Sequence, residues 1–109
     1  MASFFLNKVV NDIGTTPVVL LTTGALERAT IIGLSLTNLT DNVIQADIEI
    51  TDATGTTGYW MKGIVIPPNS SLRAVNGGEK LILGTDNTIK VTSNTLDSID
   101  VVMSYVSIV

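Results

Sequence analysis

The chain has 109 residues and a net charge of −4, with 45% hydrophobic, 5% aromatic and only 15% charged residues. It contains neither cysteine nor histidine, which excludes disulfides, thiolate chemistry, the commonest general base and the usual imidazole metal ligand. The basic residues Lys8, Arg28, Lys62, Arg73, Lys80 and Lys90 are scattered singly, so no clustered basic face for a nucleic-acid backbone is expected.

One domain, 1–109, is the expectation for this length. The charge fraction is well under the ~25% of an ordinary soluble domain. That points either to surface hidden in an assembly or to a surface rich in Thr, Ser and Asn. The run Phe4-Phe5-Leu6 is too short for a signal peptide, and no stretch approaches the ~18 apolar residues of a membrane span. Synthesis on the cytosolic side, with no membrane partner, is expected.

Taken in order, residues 1–12 read as a first strand or an N-terminal arm carrying Phe4 and Phe5. Asn11 to Pro17 is a turn, and Val18 to Leu21 a short strand. Ala25 to Arg28 is at most one helical turn. Ala29 to Leu39 reads as a strand with Ile32, Leu34 and Leu36 on one face, against Ile31, Gly33, Ser35 and Thr37. Val43 to Thr51 alternates, with Ile44, Ala46, Ile48 and Ile50 inward and Gln45, Asp47 and Glu49 outward. The short polar loop between these two strands predicts a hairpin. Tyr59 to Ile66 is a strand holding the only tryptophan, Trp60, and Pro67-Pro68 stops it. Ser71 to Val75 and Lys80 to Leu83 are short strands around an Asn76-Gly77-Gly78 turn. Thr88 to Thr92 follows, with Ile89 and Val91 inward.

The last stretch, Ile99 to Val109, is apolar on both faces. Ile99, Val101, Met103 and Tyr105 share one side, and Val102, Val106 and Ile108 the other, beside Asp100 and Ser104. Such a strand belongs inside a sheet or against a partner chain. Eight to nine short strands with turn signals at about ten-residue spacing, and no amphipathic helix, predict an all-β, antiparallel, single-domain β-sandwich. Jelly-roll and immunoglobulin-like strand orders both remain open.

No residue set points to catalysis. Asp47 and Glu49 share a strand face, as paired carboxylates of glycosidases can, but period-2 patterning makes that the ordinary solvated face. Asp97 and Asp100 read as turn or edge residues. The loops Asp52-Ala53-Thr54-Gly55 and Gly84-Thr85-Asp86-Asn87 lack the calcium-loop spacing. No Ser lies in a nucleophile elbow, and without histidine the usual triad is impossible. The expectation is a non-enzyme with no catalytic residues, cofactor or metal. Interface candidates are Phe4, Phe5, Tyr59, Trp60, Val106, Ile108 and Val109. Tyr59 and Trp60, being adjacent, face opposite sides of their strand; either one is core and the other free to stack or anchor, or both lie in packed apolar surroundings.

Four stretches carry a resemblance: Ile66-Pro67-Pro68-Asn69-Ser70-Ser71-Leu72, Gly78 to Leu83, Gly84 to Ser93, and Ile99-Asp100-Val101-Val102-Met103-Ser104-Tyr105. Together with Tyr59-Trp60 and Ile64-Val65-Ile66-Pro67, this half of the chain resembles a group of small tailed-bacteriophage virion proteins. One departure is Gly84-Thr85-Asp86, where that group has Gly-Asp directly. The resemblance implies a structural protein of the virion, in particular a capsid decoration or cement protein. Its partners would be the major capsid protein or other virion proteins, and it would self-associate, with a trimer favoured. A neck, tail or fibre-associated protein and a carbohydrate-binding β-sandwich using Tyr59 or Trp60 are the alternatives.

Overall fold

The computed structural model describes residues 2–75 and 79–109. The expected Asn76-Gly77-Gly78 turn lies outside the described residues. Nine strands are described: β1 Ser3–Ile13, β2 Val18–Thr22, β3 Arg28–Asn38, β4 Ile44–Thr51, β5 Thr57–Ile66, β6 Ser71–Val75, β7 Leu81–Leu83, β8 Thr88–Ser93 and β9 Ile99–Ile108. They form two antiparallel sheets. One has the order β1-β9-β3-β6, with β7 also on the β6 edge of β3; the other has the order β2-β8-β4-β5.

The chain changes sheet at every connection except β4–β5 and β6–β7. This interleaving is the jelly-roll order, and it differs from the immunoglobulin grouping. The core between the sheets takes alternate residues from each. Ile99, Val101 and Met103 of β9 meet Ile44, Ala46 and Ile48 of β4 and Ile89 and Val91 of β8, all buried. Full burial of each Ile or Val contributes about 1.5–3 kcal/mol. The inward sets expected for β4, β8 and β9 are those observed, except that Ile50 at the end of β4 is only partly buried.

Two expectations are corrected. The first concerns the face of β3. Ile31 and Gly33 pair with Tyr105 and Ser104, so Ile32 is an extra residue opposite β9. Such a bulge shifts the side-chain alternation by one position. Ala29 and Ile31 therefore point inward before it and Leu34 and Leu36 after it, while Ile32 is only half-buried. The second concerns the β3–β4 hairpin. The two strands lie in opposite sheets, so their loop crosses the sandwich; β4 instead forms a hairpin with β5 and pairs on its other side with β8.

Asn38 makes that crossing possible. Its side chain is buried. Nδ2 donates to the carbonyls of Asn42 (2.8 Å), Ile66 (3.1 Å) and Pro67 (3.1 Å), while Oδ1 accepts from the backbone N–H and the hydroxyl of Thr40, both at 2.8 Å. One amide thus ties the end of β3 to its own loop and to the end of β5. A comparable clamp joins the loops after β2 and β7. Buried Thr23 donates its hydroxyl to the Gly84 carbonyl (2.6 Å) and accepts the Asn87 N–H (2.8 Å).

Ser3–Ile13 runs along β9, from Ser3 opposite Ile108 to Ile13 opposite Ile99. Within this chain the described part of that segment forms strand β1, Ser3–Ile13. β2, the strand facing it in the other sheet, has only five residues. Most of β1 therefore overhangs the sandwich, and it is exposed on both faces until Val10 and Ile13.

Candidate functional site

The pairing registers assemble the outer face of the five-stranded sheet in rows. Phe5 lies opposite Val106, Val106 opposite Thr30, and Thr30 opposite Ile82. Two residues along, Asn7 lies opposite Ser104 and Ser104 opposite Gly33. The next row is Val9, Val102, Ser35 and Arg73. Ridges of larger side chains therefore flank a floor of Ser104 and Gly33. Two shallow depressions of about 310 and 370 Å3 lie there and share Ser104. Phe5 and Ile32 border one, Arg73 and Val102 the other.

Within these rows the one charged residue is Arg73 at the β6 edge; in the rows that bound them, Arg28 stands opposite Ile108 and Asp100 opposite Thr37. Exposure is high where side chains are largest: 80% for Phe5, 70% for Ile82 and 64% for Val9. Separate apolar residues on a surface are ordinary; here four large exposed ones, Phe5, Val9, Val102 and Ile82, share one face with the polar residues Thr30, Asn7, Ser104 and Ser35 between them.

The opposite outer face follows the usual solvated pattern. Glu49 pairs across from Lys90, and Asp47 across from Thr92. Asp47 also holds a bulge in β5. Its Oδ1 accepts the Gly63 N–H at 2.7 Å, and its Oδ2 meets Lys62 Nζ at 3.3 Å. Gly63 has φ +63, a conformation that favours glycine. The Lys62 ammonium sits 4.4 Å from the centroid of the Tyr59 ring. Lys62 has its pKa raised, first by its hydrogen bond to Asp47, then by the charges of Asp47 and Tyr59. Asp47 is thus engaged by the Gly63 N–H and Lys62, while Glu49 lies opposite Lys90 in the register.

The turn after β4 is closed by its own donors. Asp52 Oδ1 accepts from the Thr54 N–H (2.9 Å), the Thr54 hydroxyl (2.6 Å) and the Thr56 N–H (3.1 Å). Among the described residues no group of three acidic side chains could hold a metal ion. These hydrogen bonds, that of the Thr54 side chain foremost, lower the Asp52 pKa below its ordinary 3.8. A carboxyl lowered in the folded state stabilises it above the unfolded pKa, and the contribution disappears as pH falls through the folded value. The Asp52 carboxyl should therefore titrate below 3.8 by NMR, and Thr54→Val should move its midpoint upward. A midpoint unmoved by that change would contradict the assignment.

The interface candidates divide. Phe5, Val106 and Ile108 fall together on the outer face of the five-stranded sheet. Phe4, opposite Ser107, lies on the other side of β1 and is half exposed. Val109 closes the strand end, paired with Ala2. Tyr59 and Trp60 sit on β5 in the other sheet. Trp60 is partly buried against the core and Tyr59 is exposed. One face of the Tyr59 ring is occupied by Lys62. Val9, Val102 and Ile82 join the face without being among the sequence-based candidates. Their signal is the apolar residue recurring on the outward parity of β1, β9 and β7.

No known protein family and no curated protein matches the chain. Among solved structures, it is similar to a chain from the Bacillus endospore appendages, described as disulfide-linked pili, with TM-score 0.58 and 10% identity, covering 97% of this chain and 85% of that one. It is also similar to the Anabaena sensory rhodopsin transducer, with TM-score 0.49 and 15% identity over 86% and 89% of the two chains. A third match is to infectious bursal disease virus, Gt strain, with TM-score 0.47 and 8% identity over 98% of this chain and 30% of that one. At 10% identity, the appendage match speaks to the fold. The other two lie below a TM-score of 0.5 and carry no argument.

Proposed function

We propose that this protein is a non-enzymatic structural component of an assembled particle. It acts by binding, through the outer face of the five-stranded sheet and the overhanging β1. The observation that carries the reading is the group of exposed apolar side chains Phe5, Val9, Val102 and Ile82 that the registers gather around Val106 on one outer face, with the charges Arg28, Arg73 and Asp100 at its margins. Covering the apolar face removes its side chains from water at about 25 cal/mol per Å2, and it leaves the charged face outward for solvent. The appendage chain of the same fold is a pilus component, which supports an assembly role. Its disulfide linkage has no counterpart here, since cysteine is absent.

Within that class we favour a tailed-phage capsid decoration protein, on the strength of the resemblance in residues 59–105. The protein would sit on the mature shell in the virion and resist expansion strain by bridging neighbouring capsid subunits. The test is co-sedimentation of the purified protein with expanded capsids stripped of accessory proteins. Saturable binding at a fixed copy number, with a higher temperature of capsid disruption, is expected. No binding, together with recovery of the protein from neck or tail fractions, would move it to the alternative virion location. Absence from particles altogether would overturn the reading.

A further inference from the structure

We propose that two copies of this chain join edge to edge through β1, giving one continuous sheet across a two-fold axis. The occupant follows from how the sheet edges differ. A long, regular, hydrophobic edge strand invites pairing, and proteins normally protect such edges by shortening, bulging or charging them. The far edge of the same sheet is split into β6 and β7, of five and three residues. In the other sheet β2 has five residues, and β5 is broken by two register shifts against β4. β1 has eleven residues, a continuous register from Ser3 to Val10, no proline, and one charge in that stretch, Lys8.

The free backbone groups of β1 can be assigned. Ala2 and Val109 exchange both N–H···O bonds, at 2.8 and 2.9 Å. Hydrogen-bonded and non-bonded pairs alternate along an antiparallel ladder, so Phe4, Leu6, Lys8 and Val10 face β9. Ser3, Phe5, Asn7 and Val9 turn their N–H and C=O groups away from it. A second β1 must bond to these same residues, which leaves three near-central antiparallel registers. Centring on Lys8 sets Lys8 against itself, and like charges directly opposite are destabilising. Centring on Leu6 places Phe5 against Asn7 and Ser3 against Val9. Centring on Asn7 places Phe5 against Val9 twice, a favourable aromatic–β-branched pair, with Phe4 against Val10 and Leu6 against the Lys8 stem. The last register is the one we assign. The interface is isologous, so it closes at two copies. The inference rests on the β1 edge and is independent of the particle reading.

The chain's lack of cysteine makes the register directly testable. In the assigned register the two Asn7 Cα atoms form a hydrogen-bonded pair about 5.5 Å apart, within the roughly 4.4–6.8 Å that a disulfide spans. With oxidised glutathione as electron acceptor, Asn7→Cys should give a covalent dimer at micromolar concentration, while Leu6→Cys and Lys8→Cys should not. The unmodified protein should sediment as a dimer. Asn7→Pro removes only an outward N–H, so it should give a folded monomer with an unchanged circular dichroism spectrum. A wild-type monomer or trimer, or cross-linking through position 6 or 8 in preference to 7, would overturn the proposal. Should Asn7→Pro fail to fold, the cysteine variants decide it.

Discussion

Asn38→Ala should destabilise the protein by about 3–4 kcal/mol, the largest expected loss for a polar residue in this fold. The side chain is buried, and its removal strips hydrogen bonds from the Asn42, Ile66 and Pro67 carbonyls and from the Thr40 N–H. Each buried group left unpaired costs about 1–3 kcal/mol, and sharing of the two Nδ2 protons among three carbonyls keeps the sum below full additivity. Asn38→Asp should fare nearly as badly: it retains an acceptor for Thr40 but presents a carboxylate to three carbonyl oxygens. Urea denaturation checks both, with the midpoint falling and the slope unchanged. A loss under about 1 kcal/mol would mean that water replaces the amide at this loop crossing.

The second large effect is on binding rather than folding. Ile82→Asp combined with Val102→Asp places two carboxylates on the outer face of the five-stranded sheet, at positions 70% and 47% exposed. Exposed substitutions of this kind shift monomer stability by only about 0.5 kcal/mol each. In a covered interface each would instead lose apolar burial and bury a charge. Capsid affinity should fall by at least about 100-fold, or roughly 3 kcal/mol. Lys90→Asp on the opposite face is the control and should leave affinity within about two-fold. Equal loss in both variants would remove the distinction between the faces.

How far these features are legible in the sequence depends on the distance over which each is set. Alternation in β4, β8 and β9 is local, and by itself it places Ile48, Val91 and Met103 in the core. The Ile32 bulge is hidden because an uninterrupted apolar pair, Ile31-Ile32, supports either parity of β3. The β3–β4 crossing imitates a hairpin because its loop is short and polar, as hairpin loops are. What sends the chain to the other sheet is Asn38 bonding to Ile66 and Pro67, 28 and 29 residues away, and spacing carries no trace of such a contact. The binding face is half legible. The two-sided apolarity of Ile99 to Val109 points to Val106 and Ile108, and the place of Phe5 near the terminus marks it as a candidate. That Phe5 stands opposite Val106, and that Ile82 completes the row through Thr30, is a property of register. The same holds for the β1 overhang, which arises because the facing strand β2 is less than half its length.

A cryo-electron microscopy map of capsids saturated with the protein tests the central claim most directly. The account predicts that Phe5, Val102, Val106 and Ile82 lie against the shell or a neighbouring subunit, with Glu49 and Lys90 facing solvent. A map in which the Glu49–Lys90 face contacts the shell and the row from Phe5 to Ile82 is bare would contradict it.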